Sequence, residues 1–269
     1  MRNRSHLPIG RARSAAALAL ACSLAFAGFG CQSGGGNSKS LAAARQAYDR
    51  GDFATSMQLL GHYLESADHS QNTEEAMYLR GLSAAKSGKR QQAYADLRRC
   101  ADAARGSDVR WRASLALGVM YFEDNQWSDA GRAYFTAIST MPERPPMDFA
   151  LWRLGQCYER TGRWSSATAP YTQLVRKFPA SELTPRAKRR IELRPTFFAV
   201  RCGAFGNAQN AQRMAADLRQ QGFGASVRTE TTGGKPLHIV LVGKFDTYES
   251  AMQQVAAVRS AAPDAVIWP

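Results

Sequence analysis

The 269-residue sequence has few of the side chains on which metal binding and covalent cross-linking depend. It contains only four histidines, and none lies at ligand spacing from another histidine or from a cysteine. Two of its five cysteines fall within the first 31 residues. The other three form an odd and widely spaced set, namely Cys100, Cys157 and Cys202. The sequence therefore predicts buried thiols, and neither a metal site, a cofactor nor a disulfide framework.

Motifs of catalytic sites are absent as well. The sequence contains no HExxH, no GxSxG, no Cys and His pair and no Glu in a hydrolase-like setting. A cell-wall hydrolase would need a group of this kind to activate water or a nucleophile. The sequence therefore predicts a protein that is not an enzyme.

Long apolar runs are missing too. A membrane-spanning helix needs about 20 apolar residues in succession, and no run in the sequence is that long. A shorter run of roughly 15 residues covers positions 15–29 and is interrupted by Ser23. Four arginines and no acidic residue precede it. A basic segment followed by a short apolar core is typical of a secretory signal. Residues 1–31 are therefore predicted to be a signal peptide, and the protein is expected to be exported to the cell envelope.

The end of this signal has a distinctive pattern. Small residues lead to Cys31, and a polar Gly/Ser run follows it. This pattern resembles the lipobox of bacterial lipoproteins, which implies acylation of Cys31 and a lipid anchor in the outer membrane. Gly28 stands where that family usually has Leu, and Cys22 is an alternative acceptor. An ordinary cleaved signal is the alternative to lipidation. Residues 32–40 are predicted to be a flexible linker.

Acidic residues are scarce, with 22 Asp and Glu against 35 Lys and Arg, for a net charge of +13. The basic excess is uneven, because residues 176–194 alone hold seven basic and two acidic residues. The remainder of the chain outside this stretch and the signal is only mildly basic. The total charge therefore does not by itself indicate a nucleic-acid partner.

The middle of the chain contains an internal repeat with a period of 37 residues. One column of the repeat consists of turn-forming residues, a second of tiny residues, and a third of large apolar or aromatic residues. These columns are Gly51/Gly88/Asn125/Gly162, Ala44/Gly81/Gly118/Gly155 and Leu60/Leu97/Tyr134/Tyr171. Apolar residues recur at helical spacing on both sides of each turn residue. Each unit is therefore predicted to be a pair of helices that approach closely at the tiny residue.

Over roughly residues 41–190, these columns resemble the tetratricopeptide repeat. Pro142 and Pro179, which end the third and fourth units, fit the same pattern. The departures are the period of 37 instead of 34, and Ala47 and Ala84 at positions where a Tyr is usual. The resemblance implies a helical-hairpin solenoid whose groove binds an unknown protein or peptide.

Beyond a linker predicted at residues 191–196, the apolar pattern changes from helical to alternating. Strands are predicted at residues 197–205, 225–229, 237–242 and 265–268, and helices at 210–221 and 250–261. Six positions from Val200 to Val227 have similar residues 40 positions later, which indicates two βαβ halves. Residues 197–269 are therefore predicted to form a small ferredoxin-like βαββαβ domain of the α/β class, following the all-α solenoid.

Alternation along the strands assigns side chains to the two faces of this sheet. The face toward the helices is predicted to carry Val200, Cys202, Val227, Val240 and Val242. The other face is predicted to be open, and to carry Ala199, Arg201, Ser226, Arg228, Ile239 and Leu241.

Two motifs of this domain resemble those of the SPOR (sporulation-related repeat) family. They are FAVRCGAF at residues 198–205, with an Asn-Ala pair at 210–211, and VLVGKF at residues 240–245. The resemblance covers residues 197–269 and implies binding of peptidoglycan glycan strands without stem peptides, through the open sheet face. Arg201 replaces the Gln usual in the family, and Ile239 and Leu241 replace arginines usual on the third strand.

The chemistry of a glycan suggests which side chains of the open face would bind it. Arg201 and Arg228 could donate charge-assisted hydrogen bonds to sugar oxygens. Ile239, Leu241 and Trp268 could supply an apolar platform for the sugar faces. These five residues are the predicted glycan-binding site.

Two functions remain open at this point. The first is a wall-binding lipoprotein that is tethered through Cys31, binds glycan strands as at division sites, and recruits a protein through its repeats. The second is an adaptor of an outer-membrane assembly or division complex, with weak or no glycan binding. RNA binding is set aside, because the third strand lacks the aromatic residues that the RNA-recognition motif needs in its βαββαβ sheet.

Overall fold

The computed structural model describes residues 37–66, 72–103, 108–232 and 234–269. The predictions for the signal peptide, for Cys22 and Cys31, and for residues 32–36 of the linker lie outside the described residues. Helix α1 begins at Asn37, so the prediction of a linker is wrong for residues 37–40. No helix in these four ranges is both long and apolar enough to cross a membrane.

Nine helices precede the sheet in the described part of the chain, and eight of them follow one another as pairs. Their bounds are α1 Asn37–Asp49, α2 Phe53–Ser66, α3 Thr73–Lys86, α4 Arg90–Ala103, α5 Asp108–Glu123, α6 Trp127–Thr140, α7 Met147–Arg160, α8 Trp164–Lys177 and α9 Thr184–Leu193. The predicted helical solenoid is therefore confirmed. Helix α9 runs three residues into the linker predicted at 191–196, so that prediction is wrong for residues 191–193.

The turn inside each pair has the same backbone conformation. Gly51, Gly88, Asn125 and Gly162 have φ angles of 80°, 75°, 59° and 72°. Glycine and asparagine are the residues that adopt this left-handed conformation most readily. The 37-residue period of the sequence is thus the spacing of four left-handed turns.

The tiny residues of the repeat lie where the two helices of a pair touch. A Cβ atom added to Gly81 would lie 2.8 Å from Cγ of Leu97, and one added to Gly118 would lie 2.8 Å from Cδ1 of Tyr134. Gly155 likewise faces the ring of Tyr171. Leu97, Tyr134 and Tyr171 are each at most 1 % exposed. The column of tiny residues and the column of large residues therefore form the two sides of one contact between paired helices.

The chain divides into two compact units, Met1–Leu154 and Gly155–Pro269. The division falls within α7. The end of α7, α8 and α9 thus belong to the same compact unit as the sheet.

The sheet has the predicted βαββαβ order. Its elements are β1 Phe198–Phe205, α10 Ala208–Gln220, β2 Ala225–Thr232, β3 Lys235–Phe245, α11 Tyr248–Val258 and β4 Val266–Trp268. The strands lie in the order β2-β3-β1-β4, and every pairing is antiparallel. This is the ferredoxin-like arrangement that the duplication predicts.

The helix side of the sheet holds the main core of the domain. Val200, Cys202, Val240 and Val242 are buried there against α10 and α11, with Val227 packed at the edge of the cluster. The predicted assignment of these five residues to the helix side is confirmed. The repeated Gly-x-Phe motif belongs to the same core, since a Cβ added to Gly203 would lie 2.7 Å from the ring of Phe205.

We expect the three cysteines of the described chain to be unreactive in the native protein. Cys100, Cys157 and Cys202 are buried and form no disulfide. Burial raises the pKa of the Cys100 thiol to about 12 and that of Cys202 to about 11, so thiolate is scarce at neutral pH. Iodoacetamide at pH 8 should label them only after unfolding, as peptide mass spectrometry would show. Rapid native labelling of Cys202 would contradict the burial of the helix-side core.

Candidate functional site

The five predicted site residues come together on one face of the sheet. Strand pairing places Arg201 opposite Leu241, Arg228 opposite Ile239, and Trp268 opposite Ala199. Directly paired residues point to the same side of a sheet. The register therefore assembles these residues as the alternation predicts.

The expectation that this face is open is wrong for its apolar part. Ile239 is 0 % exposed, and Leu241 and Trp268 are each 3 % exposed. Leu193 at the end of α9, Phe197 before β1 and Leu237 of β3 pack against them. Burial of apolar surface is favourable at roughly 25 cal/mol per Å², so a nearby apolar segment tends to cover such a platform. The predicted apolar platform thus forms the centre of a second, smaller core.

The polar part of the face is organised by Glu230, which is not among the five predicted site residues. Its Oε1 accepts a hydrogen bond from Nε1 of Trp268 at 3.2 Å and lies 3.4 Å from Nε of Arg228. Its Oε2 accepts a hydrogen bond from Nη2 of Arg189 at 3.1 Å. The Glu230 side chain is only 9 % exposed. This carboxylate therefore joins α9, β2 and β4.

Arg228 is held on the face by two contacts. Besides the ion pair with Glu230, its guanidinium carbon lies 4.8 Å from the centre of the Trp268 ring. A guanidinium at this distance is attracted by the negative face of the indole. Arg228 is partly exposed and already paired, so much of its charge is neutralised before any ligand arrives.

Arg201 differs from Arg228 because it lacks a direct contact with an acidic side chain in the part of the chain that the structure describes. No described residue forms a hydrogen bond or an ion pair with it, although the side chain is partly buried. Burial and the nearby Arg189 guanidinium lower the pKa of Arg201, and the Glu230 carboxylate opposes this shift. Arginine nevertheless stays protonated at neutral pH. Arg201 is thus a cation whose electrostatic environment favours an added anion.

A second concave region lies on the helix side of the domain. It is a cavity of about 550 Å³ whose lining includes Arg160, Arg190, Arg259 and Tyr248. Glu159 also lines it and is buried, which raises the pKa of its carboxyl, although Arg190 at 3.8 Å opposes the shift. Its lining contains none of the five predicted site residues.

The described ranges contain no group of three or more His, Cys, Asp or Glu side chains that could hold a metal ion. That the protein has no metal site and no cofactor stays a prediction.

Residues 195–268 match the SPOR domain family. This segment is a SPOR domain. Residues 149–181 match the tetratricopeptide repeat, so the chain combines repeats of that kind with a C-terminal SPOR domain. SPOR is a peptidoglycan-binding family typical of the cell envelope, and tetratricopeptide repeats mediate protein interactions. Both are binding modules without catalysis of their own, which favours a protein that is not an enzyme.

A solved tetratricopeptide repeat structure shares the fold of the repeats. A tetratricopeptide repeat protein from Parabacteroides merdae has 15% sequence identity and a TM-score of 0.51, and the match covers 60% of each chain. MamA AMB-1 has 14% identity and a TM-score of 0.46 over 59% of this chain and 80% of its own. A search of curated proteins finds no significant match.

Proposed function

We propose that the protein is a non-catalytic envelope lipoprotein, anchored in the outer membrane through Cys31, whose SPOR domain binds peptidoglycan glycan strands. In this proposal the tetratricopeptide-like repeats recruit a protein or peptide partner. The observation that carries the glycan part is the SPOR match to residues 195–268. It is supported by Arg201 on the sheet face, a cation that has no hydrogen-bond or ion-pair partner among the described residues.

The chemistry of trimmed walls suggests what Arg201 would bind. An amidase cuts the bond between the lactyl group of muramic acid and the stem peptide, and it leaves a free carboxylate on the sugar. A guanidinium without an internal partner can donate a bidentate, charge-assisted pair of hydrogen bonds to such a carboxylate. The site would therefore prefer glycan strands that have lost their stem peptides.

Retention of the purified protein on sacculi tests this proposal. We expect retention to increase when the sacculi are first trimmed by an amidase. The Arg201→Ala variant should bind trimmed walls about tenfold more weakly, because hydrogen bonds between charged groups contribute about 1.5–3 kcal/mol. Binding is measured by pelleting a concentration series with a fixed amount of wall.

Arg213→Ala provides the matched control. Arg213 is an exposed residue of α10, on the helix side of the same domain. Its replacement removes one positive charge, as Arg201→Ala does, but at a position outside the proposed site. Its retention should equal that of the wild type. An equal loss in both variants would mean that only net charge matters, and no retention on trimmed walls would refute glycan binding.

The adaptor function is the second candidate, and the covered sheet face favours it. Ile239, Leu241 and Trp268 are buried by the chain itself, which reduces the apolar surface available to a sugar. In this case the repeats do the main work and the SPOR domain binds glycan weakly or not at all. The absence of retention on trimmed walls, with the domain folded, would favour this function.

A further inference from the structure

The apolar part of the SPOR sheet face is covered by a segment of the same chain. This cover segment comprises residues 184–197, that is, helix α9 and the four residues that join it to β1. Arg194 ends the helix with a φ angle of 44°, a left-handed conformation that is uncommon for a residue other than glycine. The chain thus turns at Arg194 and carries Phe197 onto the sheet.

Two side chains of the cover segment make its apolar contacts with the sheet face. Leu193 and Phe197 pack against the cluster formed by Ala199, Ile239, Leu241 and Trp268, and the ring centres of Phe197 and Trp268 are 5.4 Å apart. Both Leu193 and Phe197 remain partly exposed, whereas the residues below them are buried. Leu193 and Phe197 therefore protect the apolar face without being enclosed themselves, whereas Thr184 and Ala187 near the start of the segment are buried.

Polar contacts hold the cover segment at its edges. Arg189 donates to Glu230 at 3.1 Å, and Arg190 donates to the Pro269 oxygen at 2.7 Å. Nζ of Lys244 lies 5.0 Å from the centre of the Phe197 ring. The Arg189 side chain is 50 % exposed, so water screens its side of the ion pair, although the Glu230 side chain is only 9 % exposed.

The same contacts connect the cover segment to the two arginines of the candidate site. Glu230 binds Arg189 of the cover segment as well as Arg228 of the sheet, and Arg189 lies close enough to lower the pKa of Arg201. A carboxylate that approaches Arg201 would also attract Arg189 away from Glu230. The anion site and the edge of the cover segment are therefore adjacent and share charges.

We propose that residues 184–197 are an intramolecular competitor of the glycan, which must leave the face formed by Ile239, Leu241 and Trp268 before a glycan strand can occupy it. This inference rests on the proposed glycan binding. If the cover segment occupies the face in most molecules, only the remaining fraction is competent to bind a glycan strand. The apparent dissociation constant is then the intrinsic constant divided by that fraction.

Variants that loosen the cover segment at two independent points test the competition. Phe197→Ala removes the ring that contacts Trp268, and Arg189→Ala removes the ion pair with Glu230. Each should strengthen retention of the full chain on amidase-trimmed sacculi, by about tenfold if the competent fraction rises tenfold. Arg189 is exposed, so this variant is informative even if Phe197→Ala fails to fold.

Lys188→Ala is the matched control for Arg189→Ala. Lys188 is an exposed neighbour on the same helix, and its loss changes the net charge by the same amount. Its retention should not exceed that of the wild type. Equal or weaker binding by both loosened variants would overturn the competition.

A thiol reporter measures exposure of the covered face without any glycan. Leu241→Cys places a thiol at a position that is 3 % exposed. Its labelling should accelerate about tenfold when Phe197→Ala is added, in proportion to the open fraction. Unchanged labelling would overturn the inference. Accelerated labelling without retention of any variant would instead refute the proposed glycan binding, and the competition with it, although the cover segment opens.

Discussion

Trp268→Ala should destabilise the SPOR domain by about 3–5 kcal/mol, the usual cost of truncating a large buried aromatic side chain. Trp268 is 3 % exposed, contacts Phe197, and donates its indole hydrogen to Glu230. Its loss would leave a cavity in the second core and remove one partner of a nearly buried carboxylate. Urea unfolding followed by hydrogen exchange of β1 and β3 amides would measure the change in the domain alone.

Trp268→Phe separates packing from hydrogen bonding. The variant keeps an aromatic ring against Phe197 but lacks the indole donor, so we expect a loss of about 1 kcal/mol, the typical net contribution of one hydrogen bond. A small effect of Trp268→Ala would contradict this account and would mean that the indole is dispensable for folding.

Gly118→Ala should destabilise the helical repeats by about 1–3 kcal/mol, although alanine is the better helix former. The added methyl would lie 2.8 Å from Cδ1 and Cε1 of Tyr134, a fully buried and rigid ring. The two helices would have to separate or the ring would have to leave its rotamer. The midpoint of urea unfolding of the variant, followed by circular dichroism of the helices, provides the measurement.

Gly61→Ala is the opposite case within the same repeats. Apart from its chain neighbours and the backbone of its own helix α2, no described atom lies within 4 Å of a Cβ built on Gly61. The substitution should therefore stabilise the protein by about 0.5–1 kcal/mol through helix propensity alone. Equal effects of the two substitutions would show that contact with Tyr134 does not decide the role of Gly118.

The repeats were predictable because their constraints are local. A left-handed turn needs Gly or Asn, and a close helix contact needs a tiny residue, so both leave a mark at a fixed spacing. Gly88 and Gly118 are examples of the two kinds. The period indicates pairs of helices, and the structure has them.

The sheet was predictable in topology and in the side to which each residue points, because alternation decides both. The exposure of the outer sheet face was not predictable, because it depends on a segment outside the sheet that packs against it. The sequence nevertheless contains a sign that this face is covered. Residues 237–242 of β3 are apolar without a break except for His238, and an unbroken apolar strand is typical of a sheet covered on both faces.

The contacts of Glu230 could not be predicted from the sequence, for a different reason. Alternation from Arg228 places it on the same face, but nothing in its neighbourhood along the chain identifies Trp268 or Arg189 as partners. These contacts join residues about 40 positions apart, through the pairing of β2 with β3 and the return of β4 beside β1. The role of this carboxylate therefore depends on tertiary structure.

The placement of the last helices in one compact unit with the sheet has a practical consequence for truncated fragments. A fragment starting at Phe197 would lack Arg189 and Leu193, and only Phe197 and Leu237 would remain to cover the face formed by Ile239, Leu241 and Trp268. Such a fragment would adhere to polysaccharides, surfaces and other copies of itself more readily than the intact protein does. Affinities measured on it would describe an exposed hydrophobic sheet, whereas the physiological affinity is a property of the longer chain.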